Sequence, residues 1–164
     1  MNARQVPSIT RPSACIAVDQ AESPVPGLIA QLKGIPTKKR YKCAKVFVDL
    51  YSNLGYAYLQ QSMAANETIK AKEAFERYAK SYGVSIRHYH ADNGRFAETQ
   101  WIKHCEENGQ GLSYCGVNAH FQNGKAEKRI RDLQDSAQTM LIHAHHYWPS
   151  VIDHHLALRF TLSQ

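Results

Sequence analysis

Long apolar runs, paired cysteines and internal repeats are all missing from this sequence of 164 residues. No stretch approaches the ~20 consecutive apolar residues that a bilayer demands, so the sequence predicts a protein without membrane spans. Residues Met1 to Ser13 show no long apolar core behind a basic start. A secretory leader is therefore not expected, and the protein is predicted to stay inside the cell. The four cysteines, Cys15, Cys43, Cys105 and Cys115, stand far apart and form no C-x-x-C pair. That excludes a zinc knuckle or a dithiol redox motif and leaves reduced, buried thiols as the expectation. The mean hydropathy of −0.49 is that of an ordinary soluble domain, and the length suits one compact core rather than two.

Acid is scarce in one place. Between Glu22 and Asp49 there is no carboxylate, while Lys33, Lys38, Lys39, Arg40, Lys42 and Lys45 all fall there. A second basic group, Lys125, Lys128, Arg129 and Arg131, surrounds Glu127. With a net charge of +6, this distribution favours a polyanionic partner, although a basic stripe is often only a solvated surface.

What is present reads as an α/β domain. The polar residues 1–13 are expected to form a loose arm, with the domain occupying residues 14–164 and cut short at its C-terminal end. Ala14 to Val18 is a β-prone run ending at Asp19, and Pro24, Pro26, Gly27, Gly34 and Pro36 then predict a long loop. Tyr41–Tyr51 and Tyr56–Gln60, separated by Ser52, Asn53 and Gly55, predict an antiparallel hairpin. A helix capped by Asn66 should run to about Tyr82 and stop at Gly83, with Ala71, Ala74, Phe75, Tyr78 and Tyr82 on its apolar side. Val84–Ala91 predicts a strand, Thr99–Asn108 a helix, and Leu112–Val117 another strand. The longest helix should run from about Gly124 to His145, ended by Pro149, with Ala126, Ile130, Leu133, Ala137, Met140, Leu141 and Ala144 as its stripe. Val151–Leu162 has the pattern to begin one more. Aromatics such as Tyr89, Trp101 and Tyr114 fall within these elements, where core packing outranks base stacking. This order predicts a mixed five-stranded sheet, three antiparallel strands plus two crossover strands flanked by helices, in the ribonuclease-H-like arrangement.

Asp19 and Asp92 stand at predicted strand ends, and Glu127 lies in the first turn of the longest helix. Loops at the carboxyl ends of strands converge on one crevice, so three carboxylates from distant segments can meet there. Gathered without compensation they would repel and raise one another's pKa. Oxygen-only donors with open positions suit Mg2+ or Mn2+ better than zinc, and a pair of such ions supports in-line displacement at a phosphodiester. Glu127, Arg131 and Gln134 share one helical face, which places phosphate- and base-directed groups beside the third acid. A solvated helix edge is the plainer reading of that face.

Asp92-Asn93-Gly94-Arg95-Phe96, followed by Asn118-Ala119-His120-Phe121-Gln122-Asn123-Gly124-Lys125-Ala126-Glu127, resembles the D-N-G-x-x-F and H-x-Q-N-G-x-A-E signatures of the integrase catalytic core of retroviruses and copia-type retrotransposons. The acids are separated by 35 positions, from 92 to 127, close to the family's spacing. Val48-Asp49-Leu50-Tyr51-Ser52, ahead of Tyr56, resembles the family's second strand and turn. The likeness runs from about Cys15 to Trp148. It implies DNA integration by a Mg2+-dependent polynucleotidyl transferase, with two ions when substrate is bound. Asp19, Asp92 and Glu127 would be the catalytic metal ligands, and Asp49 is the alternative to Asp19 as first acid. The resemblance further implies that Asn118, Gln122, Asn123, Lys125, Lys128, Arg131 and Gln134 face nucleic acid. DNA ends and target are the expected partners, the chain is expected to form a homo-oligomer, and a nuclear location follows if the source is eukaryotic.

Some residues depart from the family. Ile130 stands where a polar residue is usual, and the zinc-binding domain that normally precedes the core has no counterpart. His143, His145, His146, His154 and His155 lack a partnering acid or cysteine pattern and are read as ordinary helical histidines. Two other functions stay open: a catalytically silent nucleic-acid-binding remnant of the fold, and a ribonuclease H with Glu67, Glu73 or Glu76 as a further ligand.

Overall fold

The computed structural model describes residues 6–28, 40–92, 96, 98–115 and 123–150, with the backbone alone for 24–28. The chain divides into two compact units, residues 1–127 and 128–164. In the first, β1 (Ile16–Leu28), β2 (Arg40–Asp49) and β3 (Gly55–Gln60) precede helix α1 (Ala65–Ser81). Strand β4 (His88–Ala91), helix α2 (Thr99–Glu107) and strand β5 (Gly111–Tyr114) follow, and helix α3 (Gly124–Tyr147) begins at the end of this unit.

The five strands form one sheet in the order β3-β2-β1-β4-β5. β2 pairs antiparallel with both β1 and β3, whereas β4 runs parallel to β1 and to β5. This is the ribonuclease-H-like sheet. Period-two alternation sends Ile16 and Val18 of β1 to the face that carries the main core, with Phe47, Tyr89 and Ala91 beside them. Cys15, Ala17 and Asp19 belong to the opposite face by the same alternation. The core face is covered by α1, whose buried Thr68, Ala71, Lys72, Phe75 and Ala79 fall on one helical stripe. Aromatic packing fixes the layer: Phe47 stacks on Phe75 at 4.8 Å, and Tyr89 meets the edge of Trp101 of α2 at 5.3 Å. Tyr89 and Trp101 are thus core residues, as their placement in the elements suggests, and Tyr114 packs against the same cluster.

Several element limits differ from expectation for identifiable reasons. β1 does not give way to a loop after Asp19; it stays paired with β2 to Leu28↔Arg40, with a register shift between Glu22 and Gly27. Pro24 and Pro26 fall inside that irregularity, where the ladder does not call on the N–H groups they lack. Gly34 and Pro36 lie outside the described residues. β4 starts at His88 rather than Val84, because the Val84 N–H is spent on Ala79 O at the end of α1 and the Arg87 N–H on Ser13 O. Helix α1 starts one residue earlier than Asn66, with Ala64 at its cap and no side-chain cap bond. Its far end follows the glycine rule: Gly83 adopts φ +73 and donates to Lys80 O at 2.9 Å. Tyr82, expected on the buried side, is 71% exposed, and Lys72 is buried in the stripe instead. Lys72 is tolerated there because Glu76 lies 2.8 Å from its ammonium.

In the second unit α3 continues to Tyr147, one residue short of Trp148-Pro149. Of the predicted stripe only Ala126 is buried; Leu133 and Met140 are exposed. The Val151–Leu162 segment lies outside the described residues. No described helix is long and apolar enough to cross a membrane. All four cysteines are buried and none is in a disulfide, in line with the sequence.

Candidate active site

Asp19 and Asp92 each stand one residue beyond Val18↔Ala91, the last pair in the parallel ladder of β1 with β4. Asp92 therefore follows the end of β4, and Asp19, still within β1, stands beside it on the same face. The start of α3 is tied to that edge by Asn123, whose side-chain amide donates to Val18 O at 3.1 Å and is 2% exposed. Lys125 Nζ reaches back to Leu50 O at 2.7 Å, and Ala126 is fully buried. The next residue is Glu127. Asp19, Asp92 and Glu127 are all partly buried.

Electrostatics register this gathering. Burial pushes the Asp19 carboxyl above its usual range, and the charges of Glu127 and then Asp92 push it further. The backbone N–H of Gln20, 2.7 Å from Asp19 Oδ1, and the Lys45 ammonium pull the other way. The thiol of Cys115, at the end of β5, responds to the same cluster: burial raises it, and Asp92, Asp19 and Glu127 each add to the rise.

The donors are hard oxygens, and their mutual repulsion is the condition that a divalent cation relieves. Asp19, Asp92 and Glu127 offer the oxygen chemistry that such an ion takes. Among the described residues, however, no three His, Cys, Asp or Glu side chains stand close enough to hold a metal as they are. Holding one would require the carboxylates to draw in.

Asp49 has a different occupation. It pairs with Ile16, the first residue of β1, and both its oxygens are engaged. Oδ1 accepts the Ser13 N–H at 2.9 Å, and Oδ2 accepts the Ser52 N–H at 2.8 Å and hydroxyl at 2.6 Å. This aspartate builds the β2–β3 turn. The α1 glutamates are committed as well. Glu67 pairs with Lys70 at 2.7 Å, Glu73 lies 3.4 Å from His104, and Glu76 takes Lys72, Tyr89 and Gln110. None of them is among the charges acting on Asp19.

Of the residues expected to face nucleic acid, Lys125, Lys128, Arg131 and Gln134 are exposed, whereas Asn123 is buried with its amide turned to β1. Asn118 and Gln122 lie outside the described residues, as do Lys33, Lys38 and Lys39 of the first basic group. Lys45 of that group is fully buried. His143 and His146 pack on Tyr147, with ring centroids 4.6 and 5.1 Å apart; His154 and His155 are not described. Sequence reading missed the buried polar row beside the acids. There Ser113 Oγ bridges His88 Nε2 at 2.8 Å and His90 Nδ1 at 2.9 Å, and His90 Nε2 lies 3.6 Å from Cys115 Sγ. Alternate polar positions in β4 and β5 were its only trace.

No family model matches the sequence, and no curated protein matches it. Solved structures do match. The HTLV-2 integrase catalytic core in complex with magnesium, in its dimeric form, is similar with a TM-score of 0.55 at 20% identity, over 96% of this chain and 90% of that one. A chain of the simian T-cell lymphotropic virus intasome in complex with the PP2A regulatory subunit B56 gamma gives 0.61 at 17% identity, over 95% of this chain but 51% of its own length. The BIV integrase catalytic core gives 0.54 at 17% identity, over 92% and 80%. At such identities the likeness concerns the backbone, and it establishes that this chain has the fold of a retroviral integrase catalytic core.

Proposed function

We propose that the chain is the catalytic core of a retrotransposon integrase of the copia type. In this reading it is a Mg2+-dependent polynucleotidyl transferase that acts on DNA through Asp19, Asp92 and Glu127. The observation that carries the reading is that Asp19 and Asp92 each stand one residue beyond the last pair of the β1–β4 ladder, with the Asn123 amide tying the start of the Glu127 helix to Val18 O beside them. The HTLV-2 core solved with magnesium supports the choice of ion. The signatures around Asp92 and Glu127 support DNA over RNA.

Bound divalent cations would activate the attacking oxygen and stabilise the leaving oxygen at phosphorus. The protein's part is to hold three carboxylates at one edge, with Asn123 and Lys125 fixing the helix that carries Glu127. Lys128, Arg131 and Gln134, exposed on α3, offer donors to phosphate and sugar or base edges. Oligomerisation, suggested by the dimeric HTLV-2 core, and a nuclear location in a eukaryotic source belong to the same proposal.

The test is strand joining on a preassembled branched DNA in Mg2+. Glu127→Gln should fold like the parent yet join no ends; undiminished joining by that variant rejects the triad. A second reading, a silent nucleic-acid-binding remnant, is favoured by the absence of a ready three-ligand set among the described residues. It predicts salt-sensitive DNA binding with no metal-dependent turnover in the parent. Cleavage of an RNA/DNA hybrid without joining would instead favour a ribonuclease H.

A further inference from the structure

Lys45 lies in β2 with no exposed surface. Burying an ammonium is costly unless its charge and its donors are met. Its Nζ donates to Gln20 Oε1, the side chain next to Asp19, across the register pair Gln20↔Lys45. The same ammonium sits 4.4 Å above the ring of Phe96, four residues beyond Asp92. A cation over a desolvated aromatic face is a favourable contact. Phe96 is itself held firmly, at 2% exposure, with Trp101 at 5.2 Å and its carbonyl accepting the Tyr114 hydroxyl at 2.8 Å.

One cation therefore touches the neighbour of Asp19 in β1, Gln20, and the ring of Phe96, four residues beyond Asp92. Its charge acts on Asp19 against the push of Glu127 and Asp92. We propose that Lys45 is a resident counter-cation and positioning residue of the carboxylate cluster, bridging the Gln20 side chain to Phe96 and offsetting the acids until divalent ions bind. The bridging rests on geometry alone; the handover to divalent ions rests on the metal-dependent reading above.

Lys45→Met keeps the reach of the side chain and removes the charge. Its effect should be read by urea unfolding in EDTA, alone and combined with Asp19→Asn, as a double-mutant cycle. The substitution should cost clearly more stability in the parent than in the Asp19→Asn background. Equal costs would mean that Lys45 serves only packing, and would overturn the proposal. Should Lys45→Met fail to fold alone, the double variant is expected to fold, and its failure counts against the proposal. Thermal midpoints followed through a Mg2+ titration give an independent readout. Because a competing positive charge is gone, Lys45→Met should reach half-stabilisation at a several-fold lower Mg2+ concentration than the parent. An unchanged or higher concentration contradicts the counter-cation role, since loss of packing alone would not tighten binding. If the parent shows no stabilisation by Mg2+, the metal reading fails, while the EDTA cycle still decides whether Lys45 and Asp19 are coupled.

Discussion

Asp19 and Asp49 sit on paired strands in different surroundings. Asp19 is partly buried beside two other acids, so its folded pKa lies above the unfolded value. Below pH ~4, near the unfolded carboxylate value, the group is protonated in both states and costs nothing. As pH rises through that value and then the raised folded one, ionisation is harder in the folded protein and stability is lost. Asp19→Asn should therefore make the metal-free protein more stable than the parent at pH 7, with the gain vanishing near pH ~3, as read by urea midpoints. A less stable variant at pH 7 would show that the cluster is not strained. Asp49 receives three hydrogen bonds from Ser13 and Ser52. Asp49→Ala should cost about 2–3 kcal/mol in unfolding free energy while leaving Mg2+-dependent joining per folded molecule intact. Lost joining in a folded Asp49→Ala protein would return this residue to the first-acid position. The sequence left the choice between the two acids open because Asp19 ends a β-prone run while Asp49 lies in the hairpin segment that resembles the family's second strand. Only register reveals that Asp49 pairs with Ile16 at the start of β1, whereas Asp19 pairs with Val46 and stands beside the end of the β1–β4 ladder.

At the scale of elements, strands and helices were legible wherever periodicity and breakers agreed. The β2–β3 hairpin and α2 are found within a residue or two of expectation, since Ser52, Asn53 and Gly55 mark the turn and Gly109 the helix end. Strand β1 beyond Asp19 was not legible, because its two prolines signal a loop to any local rule and pairing with β2 overrides them. Lys45 and Lys72 were equally hidden. A lysine in a pattern reads as solvent-facing, and although Glu76 lies one turn from Lys72, the other partners that make burial possible, Gln20 and Phe96 for Lys45 and Tyr89 and His104 for Lys72, come from elsewhere in the chain. The edge pair of β4 with β5 carries its own prediction. A Cβ on Gly111 would come within 2.4 Å of His88 Nδ1, so Gly111→Ala must displace a ring that is hydrogen-bonded to Ser113. A cost of about 1–3 kcal/mol is expected for such overpacking, measured by thermal or urea unfolding; a neutral result would mean that the His88–Ser113–His90 row is not rigid.

Taken whole, the chain carries a net charge of +6, and exposed Lys128 and Arg131 lie just beyond the third acid. DNA affinity should fall with salt, and replacing both residues by alanine should reduce the slope of log affinity against log salt by roughly 2. An unchanged slope would place the DNA contacts elsewhere. The exposed apolar side chains of α3, including Met140, Ile142 and Tyr147, fit the proposed self-association. Sedimentation of Met140→Glu/Ile142→Glu should show a smaller assembly than the parent. Most direct for the account as a whole is a crystal of the protein soaked in Mn2+ and measured for anomalous scattering. A peak ligated by the carboxylates of Asp19, Asp92 and Glu127 is the predicted result. Manganese bound elsewhere, with those three side chains still apart, would contradict it.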